Sequence, residues 1–151
     1  MGLRRKSREL IIQTMYALSY QETDQYLQHL DHLSKYRDIL IDITQEDEIE
    51  PDNTIFEFAD NLLRNLLPKI EEIDTIISRN IGEYKIDKIG QLDLYIIRLA
   101  CYELIYENLP PAVAINEAID LAKKFSAEKS PALINAILDK IKKEELNQNE
   151  E

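Results

Sequence analysis

Residues 91–108, QLDLYIIRLACYELIYEN, decide the fold. From Leu92 to Tyr106, only Asp93, Arg98 and Glu103 interrupt a run of apolar residues and tyrosines. At about 100° per residue that run occupies every side of a helix, and a helix apolar all round has to be covered all round. Leu94, Ile97, Cys101, Leu104 and Ile105 make one face; Leu92, Tyr95, Ile96, Leu99 and Tyr106 make the other. The segment is too short and too charged to span a bilayer. It belongs at the centre of a helical protein, between the N-terminal half of the chain and the last two helices. Arg98 and Glu103 must be paired to sit there, and at five residues apart they need partners from other helices.

On the C-terminal side, Pro110-Pro111 separates this helix from a second one over 112–125. Its Ile115, Ala118, Ile119 and Ala122 form a narrow stripe suited to close approach. Pro131 opens the last helix, which runs to about residue 146 with Ile134, Ile137, Leu138 and Ile141 inward. Residues 147–151 are a frayed acidic tail. On the N-terminal side, residues 54–80 are a long helical run capped by Asp52 or Asn53. Pro68 must kink or split it, because proline removes a backbone donor and clashes with the preceding turn. Asn80-Ile81-Gly82 is a stop signal. Residues 26–43 are a weaker helix, followed by an acidic loop over 45–53. The first helix, residues 4–20, carries Ile11, Met15 and Leu18 as its stripe, widened by Ile12 and Tyr16. Glycine is scarce, with three residues, and no run alternates as a strand would. The fold class is all-α: one domain over 1–146, with an N-terminal bundle (1–82) and a C-terminal bundle (87–146) packed together around the central helix at about 91–107.

The chain has 151 residues, enough to bury a core, with 18 Lys+Arg against 29 Asp+Glu and a net charge of −11. Such a balance argues for solubility and, taken alone, against nucleic acid. The distribution reverses this at one end. Arg4, Arg5, Lys6 and Arg8 fall within the first eight residues with no acid among them. Four cations cannot enter a core without partners, so packing is expected to begin after Arg8, with the basic turn overhanging the bundle. A solvated charge run and a phosphate-binding turn remain open alike from this stretch. The single Cys101 can form no internal disulfide and reads as a small buried apolar residue of a reducing compartment. With no signal peptide and no transmembrane run, a cytoplasmic protein is expected. His29 and His32 lie three apart but no cysteine or second carboxylate motif frames them, so they read as surface residues, not metal ligands. No Gly-rich phosphate loop, GxSxG, HExxH or CxxC pair occurs; a binder without catalysis, cofactor or metal is the better class.

Four blocks carry a resemblance to the transcription antitermination factor NusB family: RRKSRELIIQTMYAL (4–18), IIRLACYEL (96–104), VAINEAIDLAKKFSAEKS (113–130) and LINAILDKI (133–141). The third is the most specific; residues 24–80 match only as a helical pattern. The resemblance implies an all-helical fold of two small bundles. It implies binding to the boxA sequence of ribosomal RNA transcripts together with ribosomal protein number ten of the small subunit, also called NusE, so that the transcription elongation complex passes terminators. The RNA-binding positions carried over are Arg4, Arg5, Lys6, Arg8, Gln13 and Tyr16, with Lys129 and Leu133 from the C-terminal half. Lys129 stands where the family commonly has Asp, which removes a repulsion from phosphate. Leu133 stands where it has Phe and cannot stack as a ring would, and Ala136 replaces a Gly. For the protein partner, Asp93 matches an acidic position and Leu94 replaces the usual Arg or Lys beside it; Asp93 also suits a structural role in a first helical turn. Whether the free chain forms a homodimer stays open. The alternative from another class is a purely protein-binding helical adaptor with no direct RNA role. A segment of an RNA-modifying methyltransferase is set aside, because the chain leaves no room for a cofactor-binding domain.

Overall fold

The computed structural model describes residues 2–19, 29–50, 53–82 and 85–146. Among them are seven α-helices and no strand, as the fold class requires. The chain groups into two compact units, Met1–Lys69 and Ile70–Glu151. The first holds α1 (Gly2–Ser19), α2 (His29–Glu46), α3 (Thr54–Leu66) and a 3₁₀ turn at Leu67–Lys69. The second holds α4 (Ile70–Asn80), a 3₁₀ turn at Ile86–Lys88, α5 (Gln91–Ile105), α6 (Pro111–Phe125), α7 (Ser130–Ile141) and a π-helical turn, Lys142–Leu146.

Pro68 divides the long run as expected. The Leu67 amide closes α3 on the Leu63 carbonyl, the chain tightens through Leu67–Lys69, and α4 starts afresh at Ile70. The boundary between units falls here, so α4 groups with the helices after it, where the sequence expectation kept 1–82 together. At the other end of α3, Asn53 is the cap: its side chain accepts from the Ile55 amide at 2.8 Å. Gly82, at φ +64°, supplies the left-handed residue beyond α4.

In the first unit α1 packs on α2 and α3. Leu10, Ile11, Ile12, Met15 and Leu18 meet a core that includes Leu40, Phe56, Ala59, Leu63 and Leu66. One polar knot ties α2 to α3. Tyr36, buried and unforeseen as core, donates from Oη to Asp60 Oδ1 at 2.7 Å. Arg64 donates to Asp60 Oδ2 at 2.8 Å from one turn further along α3. Burial, and then the neighbouring carboxylate, push the Tyr36 phenol up from its ordinary value.

In the second unit α5 is flanked by α4, α6 and α7. Every residue from Tyr95 to Leu104 is buried, on all sides of the helix, whereas Leu92, Leu94, Ile105 and Tyr106 near its ends are only partly covered. Arg98 has the partner it needed: Nε and Nη2 each donate to Asp74 of α4, at 2.7 Å. The fork-to-fork geometry lets the guanidinium sit at 4% exposure. Cys101 is fully buried beside this pair, and burial above all pushes its thiol up to about 12. On α6 the buried stripe is Ala114, Ile115, Ala118, Leu121 and Ala122. Ile119, expected in it, is only half-buried, because the stripe turns toward Leu121. The inward residues of α7 are as expected, but the α-helix stops at Ile141 and the π-helical turn completes the run. That turn is clasped to the end of α4. Arg79 donates from Nε and Nη2 to the Glu145 carboxylate at 2.9 and 2.5 Å, and Asn80 Nδ2 adds a third bond at 2.9 Å. The Arg79 bond is the largest of the effects that hold the Glu145 carboxyl below its ordinary value.

Two outcomes follow for stability. Arg98→Met or Asp74→Ala alone is expected to lower the unfolding free energy by about 3 kcal/mol, since each strands one charge of a desolvated pair. The double variant should lose much less than the sum, as urea denaturation of all four proteins will show. Because the Glu145 pKa is lower in the folded state, its clasp contributes fully above the unfolded carboxylate range of about 4.3 and is lost as pH falls through the folded value. An NMR acid titration should therefore detach residues 142–146 before α4 melts, and Glu145→Gln should abolish that separate step.

Candidate nucleic-acid interface

The basic turn begins α1, where the sequence placed it, but it does not overhang. Arg4 is exposed, Arg5 and Lys6 are half-buried, and Ser7, Arg8 and Glu9 are buried. The expectation that packing starts after Arg8 is thus corrected: burial starts at Ser7, and Arg8 is only 5% exposed. The reason is α3. Its half-buried Phe58 presents a ring to both arginines of one α1 face, with Cζ of Arg4 at 4.1 Å and Cζ of Arg8 at 5.9 Å from the centroid. Ser7 Oγ lies 2.9 Å from the Ile55 carbonyl oxygen and 3.0 Å from that of Leu3, two acceptors for its one proton. An arginine stem can line an apolar surface while its head keeps the full charge against a ring.

The remaining candidates of α1 share a second face. At about 100° per residue, Arg5, Lys6, Gln13 and Tyr16 fall within an arc of about 100°, and all four are half-buried. Buried Glu9 lies in the same arc. Gln13 Oε1 is buried without a hydrogen-bond partner, and Ser19 Oγ donates to the Tyr16 carbonyl at 2.5 Å. Lys6 Nζ pairs with Asp47 Oδ2 at 2.9 Å.

These cations are not there for the helix. The N-terminal turn exposes amide donors and the positive end of the dipole, so each cation there opposes helix formation by roughly 0.3–1 kcal/mol. The first turn holds no acid to compensate. A positive ring of amides and side chains at one helix end suits an anion that touches both, which is what a phosphate does.

In the second unit Lys129 is exposed immediately before α7, and no side-chain bond caps that helix. Leu133 is half-buried one turn later, and Lys140 is exposed in line with them. Asp93 is buried and accepts from both hydroxyls that flank the α6–α7 link: Ser126 Oγ, and Ser130 Oγ at 2.9 Å. Its carboxylate is engaged inside the unit, while neighbouring Leu94 is half-buried. Phe58, Asp47, Ser126 and Ser130 were not singled out in the sequence. Only the serines had a signal: two hydroxyls four residues apart around a tight link. His29 and His32 lie on α2, with side chains outside the described residues. Among the described residues, no three His, Cys, Asp or Glu come together to hold a metal, and no helix is long and apolar enough to cross a membrane.

Comparison with known proteins agrees with this architecture. The sequence profile described as the NusB family matches residues 5–143. The transcription antitermination protein NusB of Thermodesulfovibrio yellowstonii is 35% identical over 147 residues, covering 97% of this chain and 95% of its own. Among solved structures, NusB of T. maritima superposes with a TM-score of 0.75 at 28% identity, over 93% of this chain and 91% of that one. A chain from a crystal structure of the antitermination factors NusB and NusE with double-stranded RNA gives 0.77 at 24% identity, over 95% and 98%, a likeness of fold. The chain belongs to the NusB family.

The ring contact can be tested by itself. Phe58→Leu keeps an apolar side chain but removes the π face, and should cost about 1 kcal/mol. Amide exchange should quicken over the first turns of α1 while Leu10 to Leu18 stay protected. Uniform protection along α1 would show that Phe58 does not hold the arginines.

Proposed function

We propose that the chain is an RNA-binding transcription antitermination factor. It takes up boxA-type RNA of ribosomal RNA transcripts together with ribosomal protein number ten of the small subunit, NusE, and so helps RNA polymerase pass terminators. The observation that carries this reading is the cluster of Arg4, Arg5, Lys6 and Arg8 at a helix end where cations weaken the helix, on a chain of net charge −11. Relatives similar in sequence over nearly the whole chain carry the transcription antitermination name.

Arg4 and Arg5 contact phosphates and set the position of the strand. Arg8, buried against the Phe58 side, acts at shorter range and keeps the turn in place. The half-buried Gln13 and Tyr16 side chains lie on the same α1 face for reading unstacked bases. Lys129 adds a further phosphate contact from the start of α7, with Leu133 as an apolar neighbour in place of a stacking ring. For NusE, Leu94 supplies a contact on α5, while Asp93 fixes the link beside it. The acidic remainder of the chain repels RNA elsewhere.

A titration of boxA-type single-stranded RNA across a salt series tests the proposal, with and without NusE. Arg4→Ala and Arg5→Ala should each lower the slope of log K against log salt by ~0.7, with the thermal melt unchanged. An adaptor that binds only protein would show no RNA-dependent slope, and its affinity for NusE would be indifferent to both arginines.

A further inference from the structure

Two cations of the basic turn are held in chemically different ways. Arg4 rests on the Phe58 ring, a contact that leaves its charge intact. Lys6 rests on the Asp47 carboxylate at 2.9 Å, a contact that cancels it. Asp47 is also set in a built turn rather than a loose acidic run. The Thr44 carbonyl accepts from the amides of both Asp47 and Ile49, at 3.1 and 2.8 Å, and the Glu48 amide donates to the Gln45 carbonyl at 3.0 Å. Glu48 takes the left-handed conformation, φ +57°, that lets the chain double back there. Both members of the pair keep more than a third of their side-chain surface in solvent, so an incoming anion can reach Lys6 and displace Asp47.

Resting on the RNA-binding reading above, we propose that Asp47 is an affinity-setting residue of the interface: an internal stand-in for a phosphate, occupying Lys6 until RNA exchanges with it. A phosphate that takes Lys6 from Asp47 releases no salt cation from RNA without also creating a free carboxylate that recruits one. Lys6 therefore adds little to the salt dependence of the native protein, whereas Arg4 adds its full share. The consequence is discrimination. A strand that engages only Lys6 and its surroundings gains nothing over Asp47, while one that also reaches Arg4 gains there.

The test compares five proteins: native, Asp47→Asn, Lys6→Ala, Lys6→Ala/Asp47→Asn, and Glu46→Gln as an equal charge change one residue away. Each is titrated with boxA-type single-stranded RNA over a salt series. Asp47→Asn should bind about threefold more tightly near 0.1 M salt, and its slope should steepen by ~0.7. That gain should vanish when Lys6 is Ala, and Glu46→Gln should give less than half of it. If native protein binds RNA but Asp47→Asn neither tightens nor steepens, or if its gain survives the loss of Lys6, the assignment of Asp47 is overturned while RNA binding stands. If none of the proteins binds RNA with a salt-dependent slope, the RNA-binding reading falls and this one with it.

Discussion

A guanidinium survives inside a helical bundle only if a carboxylate meets its donors head-on, and the bond between Arg98 and Asp74 does this for the second unit. Without it α5 would present a desolvated charge to α4, and the helix that α6 and α7 pack against could not be buried on all sides. With it, the apolar positions of α5 from Tyr95 to Leu104 all reach cover. Asp93 extends the same logic one turn earlier. A buried carboxylate that accepts from Ser126 and Ser130 fixes the link between α6 and α7, and so fixes where α7 begins and where Lys129 stands. Polar groups in this unit therefore position helices, while apolar area supplies the drive to bury them.

The first unit uses polar groups differently. Its interior knot, Tyr36 with Asp60 and Arg64, joins α2 to α3. At its edge, α3 offers a ring and the end of α2 offers an acid to the same turn of α1. The two contacts give neighbouring cations different availability although their side chains lie within a few residues. Charge at this interface is thus graded by packing as well as by composition, a distinction that net charge conceals.

Much of the fold was legible because it rests on periodicity and punctuation. The two-sided α5, the break at Pro68, the Asn53 cap, the Gly82 stop and the inner face of α7 are all local features, and local rules found them. The need of Arg98 for a partner was also legible, but the partner was not: Asp74 is one of 29 acids and lies on another helix. Tyr36 escaped for the same reason, its burial depending on Asp60 across a helix–helix contact. At the candidate site, residue types pointed to phosphate, yet the burial of Arg8 was missed. A ring that receives two arginines leaves no periodic trace in α3, where Phe58 sits between the core positions Phe56 and Ala59. Asp93 could be read as partner contact or structural anchor, and only the serine hydroxyls show what it holds.

The burial of Cys101 has a practical side. A thiol pushed up to about 12 and closed off from solvent has almost no thiolate at neutral pH, so it meets oxidants and alkylating reagents too slowly to matter while the unit stays folded. The chain has no other cysteine. Any cysteine introduced on an exposed helix would then be the lone reactive handle. A fluorophore or spin label could be attached there in the native background, without first replacing a residue that fills the core.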